Sequence, residues 1–283
     1  MVQDRPAQMS LGIVIRCPEG VVLAAESRVT LAATPPPPAV PLHVNFDNAT
    51  KLLSFSEPNT AVGVVTYGQA ALGVRTASSF VPEFEVTLPK DRLSVEELST
   101  KLSAFFVDQW NAAVTPPYTG PDMVFVIGGF DEGEPYGKVY LVSIPSAPAP
   151  ALQGAGGDFG ITWGGQNEIA ARILMGYDPK LPDVLKAELG VTDAQVQAVR
   201  VAMQAHGLQV AIQAMALQDA VDLAVFLIRA TIDGQQLSVG VRGCGGFIDI
   251  ATVTRRAGLG FVQRKQLRGE RLAYAGEGGA YRP

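Results

Sequence analysis

The chain has 283 residues, 47% apolar and 17% charged, with a formal net charge of −5, which fits a soluble globular protein with an ample core and excludes a broad phosphate-binding surface for nucleic acid. Two cysteines, Cys17 and Cys244, make no disulfide framework and fit a reducing cytoplasm, and His43 and His206 lie near no Cys or second His at ligand spacing, so no metal site is expected. The first nine residues are mixed and polar, with no apolar signal core, and the longest apolar stretches are too short or interrupted to span a bilayer, so no membrane association is expected.

Residues 11–16 (LGIVIR) and 21–25 (VVLAA) flank a Pro-Glu-Gly turn and predict a β-hairpin. A long loop follows, with four prolines at residues 35–38 that are stiff and exclude an inner strand. Residues 51–56 and 60–67 predict a second strand pair, and Gly68 opens an expected helix over 68–80. Residues 94–114 predict a helix: Ser94 and Glu97 form an S-x-x-E capping box, and Leu98, Leu102, Phe105, Phe106 and Trp110 recur at helical spacing. That stripe reads as core.

Residues 123–130 and 138–144 predict strands, followed by a Pro- and Gly-rich crossing over 145–158 and a short strand over 159–163. Gly164 and Gly165 then open a helix (QNEIAARILMGY), Thr192 and Gln195 cap another, and residues 215–232 predict a long apolar one. Strands over 247–253 and 260–263 close the pattern, and the tail from residue 268 is Gly-rich and charged. Blocks of strands separated from blocks of helices argue against an alternating βαβ sheet. They suit an α+β architecture of two antiparallel sheets face to face, with a helix layer outside each. Continuously apolar strands fit sheets covered on both faces.

The segment SLGIVIRCPEGVVLAAESRVT, residues 10–30, resembles the start of mature proteasome β subunits and of the related bacterial two-component peptidase, which are N-terminal-nucleophile hydrolases. In that family a hydroxyl residue begins the first strand and a G-V-V-L-A-A-D-S-R signature forms the second. Here the signature reads Gly20-Val21-Val22-Leu23-Ala24-Ala25-Glu26-Ser27-Arg28. Counting back from Glu26 puts the nucleophile on Ser10. Lys51 in TKLLSF matches the family lysine, Gly68 in TYGQA the glycine after the fourth strand, WGGQNEIAARIL the Gly-Ser-Gly helix entry, and CGGFIDIATV the S-G-G turn with its closing strand.

The resemblance implies a four-layer αββα sandwich over residues 10–265, a leader over 1–9 and a tail over 266–283. It implies a peptidase without cofactor, in which Ser10 is the nucleophile and its own α-amine, titrating near pH ~8, is the base. Lys51 would favour the ionised forms around it, Glu26 would hold Lys51, and the Gly68 N–H would face the oxyanion. An amide nitrogen is no base, so Ser10 must become the first residue, by methionine removal from a start at Met9 or by self-cleavage of the leader. Substrate-pocket positions carry over to Val29, Ala49, Leu53 and Ala70, small or apolar residues that suit an apolar side chain, and the proline run lies next to this mouth. Implied partners are a polypeptide substrate, further copies in a homo-oligomeric ring, and an ATP-dependent unfoldase.

The chain departs from the family at four points: Glu26 for Asp, Ser10 for Thr, Gly165 or Gln166 for the turn hydroxyl, and Val241-Arg242-Gly243-Cys244-Gly245-Gly246 for D-x-x-S-G-G. Ser238 and Asp249 are candidate substitutes for the missing groups, and Arg28 is read as a structural partner of Glu26. An amidase or acylase on the same fold and an inactive assembly subunit are the competing readings.

Overall fold

The computed structural model describes residues 10–33, 42–154, 158–204, 206–240 and 242–267. The expected leader, the four prolines and residues 268–283 of the tail lie outside them. The strands run β1 (Leu11–Cys17), β2 (Gly20–Glu26), β3 (Val29–Ala33), β4 (Leu42–Phe46), β5 (Leu52–Ser54), β6 (Val62–Gly68), β7 (Ala71–Leu72) and β8 (Arg75–Thr76). Helices α1 (Val81–Val86) and α2 (Val95–Ala113) follow, then β9 (Met123–Gly129), β10 (Lys138–Ile144), β11 (Ala147–Leu152) and β12 (Gly160–Gly165). Helices α3 (Glu168–Met175), α4 (Leu181–Leu189), α5 (Asp193–Gln204) and α6 (Leu217–Leu237) precede the closing strands β13 (Ile248–Thr254) and β14 (Gly258–Gln263).

Two five-stranded sheets dominate, one in the order β12-β1-β2-β13-β14 and one in the order β11-β10-β9-β6-β5, with every pairing antiparallel. Strands β1 and β2 are buried along their whole length. Their alternation divides the side chains between two apolar clusters. Ile13, Ile15, Val22 and Ala24 pack with Ala224, Leu227 and Ile228 of α6. Val14, Val21 and Leu23 pack with Val65 and Val126 of the second sheet. A third cluster joins the other face of that second sheet, through Phe125, Ile127 and Tyr140, to Phe84 of α1 and Leu98 and Phe106 of α2. Each fully buried Val, Leu, Ile or Phe side chain stabilises the fold by about 1.5–3 kcal/mol before entropy is counted.

Helix α2 starts as its sequence requires. Ser94 Oγ accepts from Glu97 N (3.2 Å), and Glu97 accepts in return from Ser94 N (2.9 Å). The reciprocal box of Thr192 and Gln195 stands at the start of α5, at 2.8 and 3.3 Å. Elsewhere the expectations need correction. Residues 68–80 are not a helix: β7 and β8 form a small hairpin turning at Gly73 (φ +58), and Ala77–Phe80 is a single 3-10 turn. The loop after β2 holds a second hairpin, β3 with β4, on either side of the proline run. The Pro-rich crossing contains β11, an edge strand, where a residue without an N–H can be accommodated. Helix α4 was not foreseen, although Pro182 sits in its first turn, where proline is favoured.

Candidate active site

Ser10 stands immediately before β1 and is 2% exposed. Its carbonyl accepts from Gln166 N (2.5 Å), which ties it to the end of β12. Its φ is +111°, the only positive value outside glycine among the described residues. An L-residue in that region is strained.

Lys51 enters beside Ser10 from the start of β5, and its carbonyl accepts from Thr66 N of β6 at 2.9 Å. Its ammonium donates to Ser10 Oγ (2.6 Å), to Glu26 Oε1 and to the Arg28 carbonyl. An ammonium has three donors, and these acceptors use all of them, so the group is held in one orientation. Glu26 closes β2 with a fully buried side chain. Its second oxygen accepts from Arg28 N (2.7 Å) and Gly245 N (2.9 Å), while Oε1 also accepts from Leu11 N (3.3 Å). The buried carboxylate is therefore paired and hydrogen-bonded on both oxygens, the condition under which a buried charge is tolerated.

Gly68 closes β6 with φ +86°, and a Cβ there would lie 2.0 Å from the Asp122 carbonyl oxygen. Only glycine fits. Thr66 N donates toward β5, so Tyr67 C=O turns toward β9 and the Gly68 N–H, antiparallel to it in the same peptide plane, turns to the opposite edge. That edge borders a small cleft shared by Ser10, Lys51 and Gly68 and lined by Val29, Ala49 and Ala70. Thr76 at the end of β8 and Ala77 at the start of the 3-10 turn, both in the stretch expected to be helical, also line it.

Three of the four expected pocket positions thus lie on the cleft. Leu53 does not: it is 2% exposed and belongs to the core beneath α1 and α2. Arg28 does partner Glu26, but through its backbone rather than its side chain. Its guanidinium pairs bidentately with Asp47, at 2.5 and 2.7 Å, and only its backbone N–H serves Glu26. The pairing raises the pKa of Arg28 and holds that of Asp47 below the usual carboxylate range. Neither proposed substitute reaches the cluster: Ser238 Oγ donates to Gly234 O (2.7 Å), and Asp249 binds Lys265.

Cys244 lies where the supporting hydroxyl was missing. It is 1% exposed, and burial first, then Glu26, push its thiol pKa far up, against smaller opposing effects of Lys51, the Ser10 N–H and Arg28. Two features escaped sequence reading. Asp47 carried no local signal, being brought to Arg28 by the β3–β4 hairpin. Tyr67 is the larger omission. Its ring lies against Gly12 and Gly164, where a Cβ would come within 2.8 and 2.2 Å of it, and burial pushes its pKa up to about 12. Only the pairing of strands far apart in sequence sets this aromatic residue against two strand glycines.

No protein-family model and no curated protein matches the chain. Among solved structures, the Anbu (Gly-1) mutant from Hyphomicrobium sp. strain MC1 is similar, with a TM-score of 0.55 and 13% identity, over 90% of this chain and 86% of that one. At that identity the similarity is one of fold: antiparallel sheets with helices, consistent with the proteasome-like N-terminal-nucleophile fold that residues 10–30 resemble. No described helix is long and apolar enough to cross a membrane.

Proposed function

We propose that the chain is a proteasome-type N-terminal-nucleophile peptidase in which Ser10 attacks the peptide carbonyl. The observation that carries this reading is the buried chain of contacts from Ser10 Oγ through Lys51 to Glu26, beside an outward-turned Gly68 N–H. In a chain that begins at Ser10, the free amine takes the Oγ proton as Oγ bonds to the substrate carbonyl carbon. The Lys51 charge favours the ionised oxygen, and the Gly68 N–H donates to the oxyanion. The amine returns its proton to the leaving nitrogen as the C–N bond breaks, and water then hydrolyses the ester to a carboxylate and free Ser10.

The three apolar clusters support the four-layer αββα form of this fold, with residues 10–265 as one domain. The strained Ser10 torsion supports self-cleavage as the route to the free amine. In that step Oγ displaces the Ser10 nitrogen from the Met9 carbonyl, and water hydrolyses the resulting ester. A polypeptide substrate, a cytoplasmic homo-oligomeric ring and an unfoldase partner belong to the same reading. Beyond the Lys51 ammonium, the small cleft is lined by Val29, Ala49, Ala70 and Ala77, which suits small apolar side chains at the cleaved bond.

Intact mass combined with β-lactone labelling tests it. The expected result is a chain beginning at Ser10 that takes up one label, with neither processing nor label in Ser10→Ala. A chain that keeps its first residues and stays unlabelled refutes the catalytic reading.

A further inference from the structure

Outside the nucleophile cleft, an open groove of about 320 Å³ runs between β12 with α3 on one side and β10 with β11 on the other. Its lining, which includes Trp163, Asn167, Met175, Leu141 and Gln153, contains no charged side chain. Its end wall is Tyr67, which also lines the nucleophile cleft. No described group pairs with the Tyr67 hydroxyl. One residue thus separates the two openings.

Strand β12 is an edge strand, and residues 160–163 are half-buried rather than covered. The direction of its free groups follows from the pairing with β1. Gln166 N donates to Ser10 O, so Ser10 and Gln166 are a hydrogen-bonded pair. By alternation Gly164, Thr162 and Gly160 bond to β1, whereas Ile161 and Trp163 turn their N–H and C=O groups outward along the groove. No described residue takes those four groups. At the end of the strand, the Gly165 carbonyl accepts from Asn167 N (2.8 Å), so the open stretch stops just short of Ser10.

We propose that this edge binds an extended segment of the polypeptide substrate flanking the cleaved bond, as an added strand on Ile161 and Trp163. The inference rests on the peptidase reading for the identity of the occupant. An unpaired strand edge is matched by another strand, an uncharged groove beneath it takes alternate apolar or small polar side chains, and Tyr67 makes it adjacent to the nucleophile. The groove would then hold the chain away from the cleft by several residues and select substrates that are extended there.

The test is binding, read on the full chain carrying Ser10→Ala so that nothing is cleaved. Uncharged capped peptides of two to five residues (acetyl-Ala-Val-Thr-Val-Ala-amide and its truncations) are titrated while tryptophan fluorescence is followed. Affinity is expected to rise by about tenfold for each outward residue engaged, since each adds hydrogen bonds of modest net strength. The signal should vanish in Trp163→Phe. N-methylation at the alternate residues that face β12 should weaken binding about tenfold or more, and at the intervening residues less than about twofold. Ile161→Pro, which removes one outward N–H but no bond to β1, should weaken it likewise; if that variant does not fold, the methylated peptides carry the test.

Equal effects of both methylation registers, or no dependence on length, overturn the proposal. So does light scattering that shows a second copy of the chain occupying this edge and excluding the peptides. Cleavage of a fluorogenic substrate ending in an aminocoumarin, by the chain beginning at Ser10, reads the nucleophile separately. Register-dependent binding without that cleavage removes the peptidase reading and leaves the strand site. Cleavage without register dependence does the reverse.

Discussion

Lys51→Met is the sharpest perturbation of the cluster. Methionine keeps much of the side-chain volume and deletes the charge. The Glu26 side chain, which has no solvent exposure, would be left as an unpaired buried anion. Breaking a buried pair from one side costs about 3–5 kcal/mol, and the three backbone N–H groups that still reach Glu26 put the loss at the lower end, about 3 kcal/mol. For a domain of this size, that lowers Tm by about 6–12 °C. Adding Glu26→Gln removes the stranded charge and keeps one acceptor oxygen, enough for the Arg28 and Gly245 N–H groups but not for Leu11 N, so the double variant should regain about 1–2 kcal/mol over Lys51→Met. It should regain no β-lactone labelling, because Ser10 Oγ would still lack its cationic neighbour. Urea unfolding of the wild type, both single variants and the double variant supplies the cycle. A Lys51→Met chain as stable as wild type, or a double variant weaker than either single one, would refute the buried-pair geometry.

Three further outcomes are expected. Gly68→Ala combines a positive φ with a Cβ 2.0 Å from the Asp122 backbone oxygen, so it should cost at least about 2 kcal/mol and abolish labelling; a stable, labelled variant would show that this strand end does not need glycine. Burial raises the thiol pKa of both Cys17 and Cys244, so neither should react with a disulfide reagent at pH 8 until denaturant is added; native reaction at Cys244 would contradict its placement against Glu26. Arg28 depresses the pKa of Asp47, so this contribution to stability is present above the ordinary value near 3.8 and is lost as pH falls through the lower folded value. Asp47→Asn should flatten the acid side of the urea-midpoint profile in that window, and an unchanged slope would show that the ion pair is idle in solution.

Local signals served well where local physics decides. The capping boxes at Ser94 and Thr192 and the two-face burial of β1 and β2 are properties of short stretches, and each stands in the structure as read. The wrong helix over residues 68–80 came from treating Gly68 as a helix opener, when its positive φ instead ends a strand against Asp122. Two-residue strands such as β7 and β8 have too little periodicity to register. At the site, Ser10, Glu26 and Lys51 were named from a motif, and their convergence depends on sheet pairings across 15 to 41 positions. Leu53 was misplaced because a carried-over position does not say to which face of a three-residue strand a side chain turns. Asp47 and Tyr67 could be found only once residues distant in sequence were set side by side.

The torsion at Ser10 has a thermodynamic consequence. A φ angle is defined by the carbonyl of the preceding residue, so a chain whose first residue is Ser10 has none at that position. Whatever free energy the +111° value holds, on the order of 1–3 kcal/mol for such a conformation, would be discharged by the proposed cut of the bond before it. Re-joining the two pieces would have to restore it, so such a cut would behave as a ratchet, and a chain starting at Ser10 should melt above the uncut one.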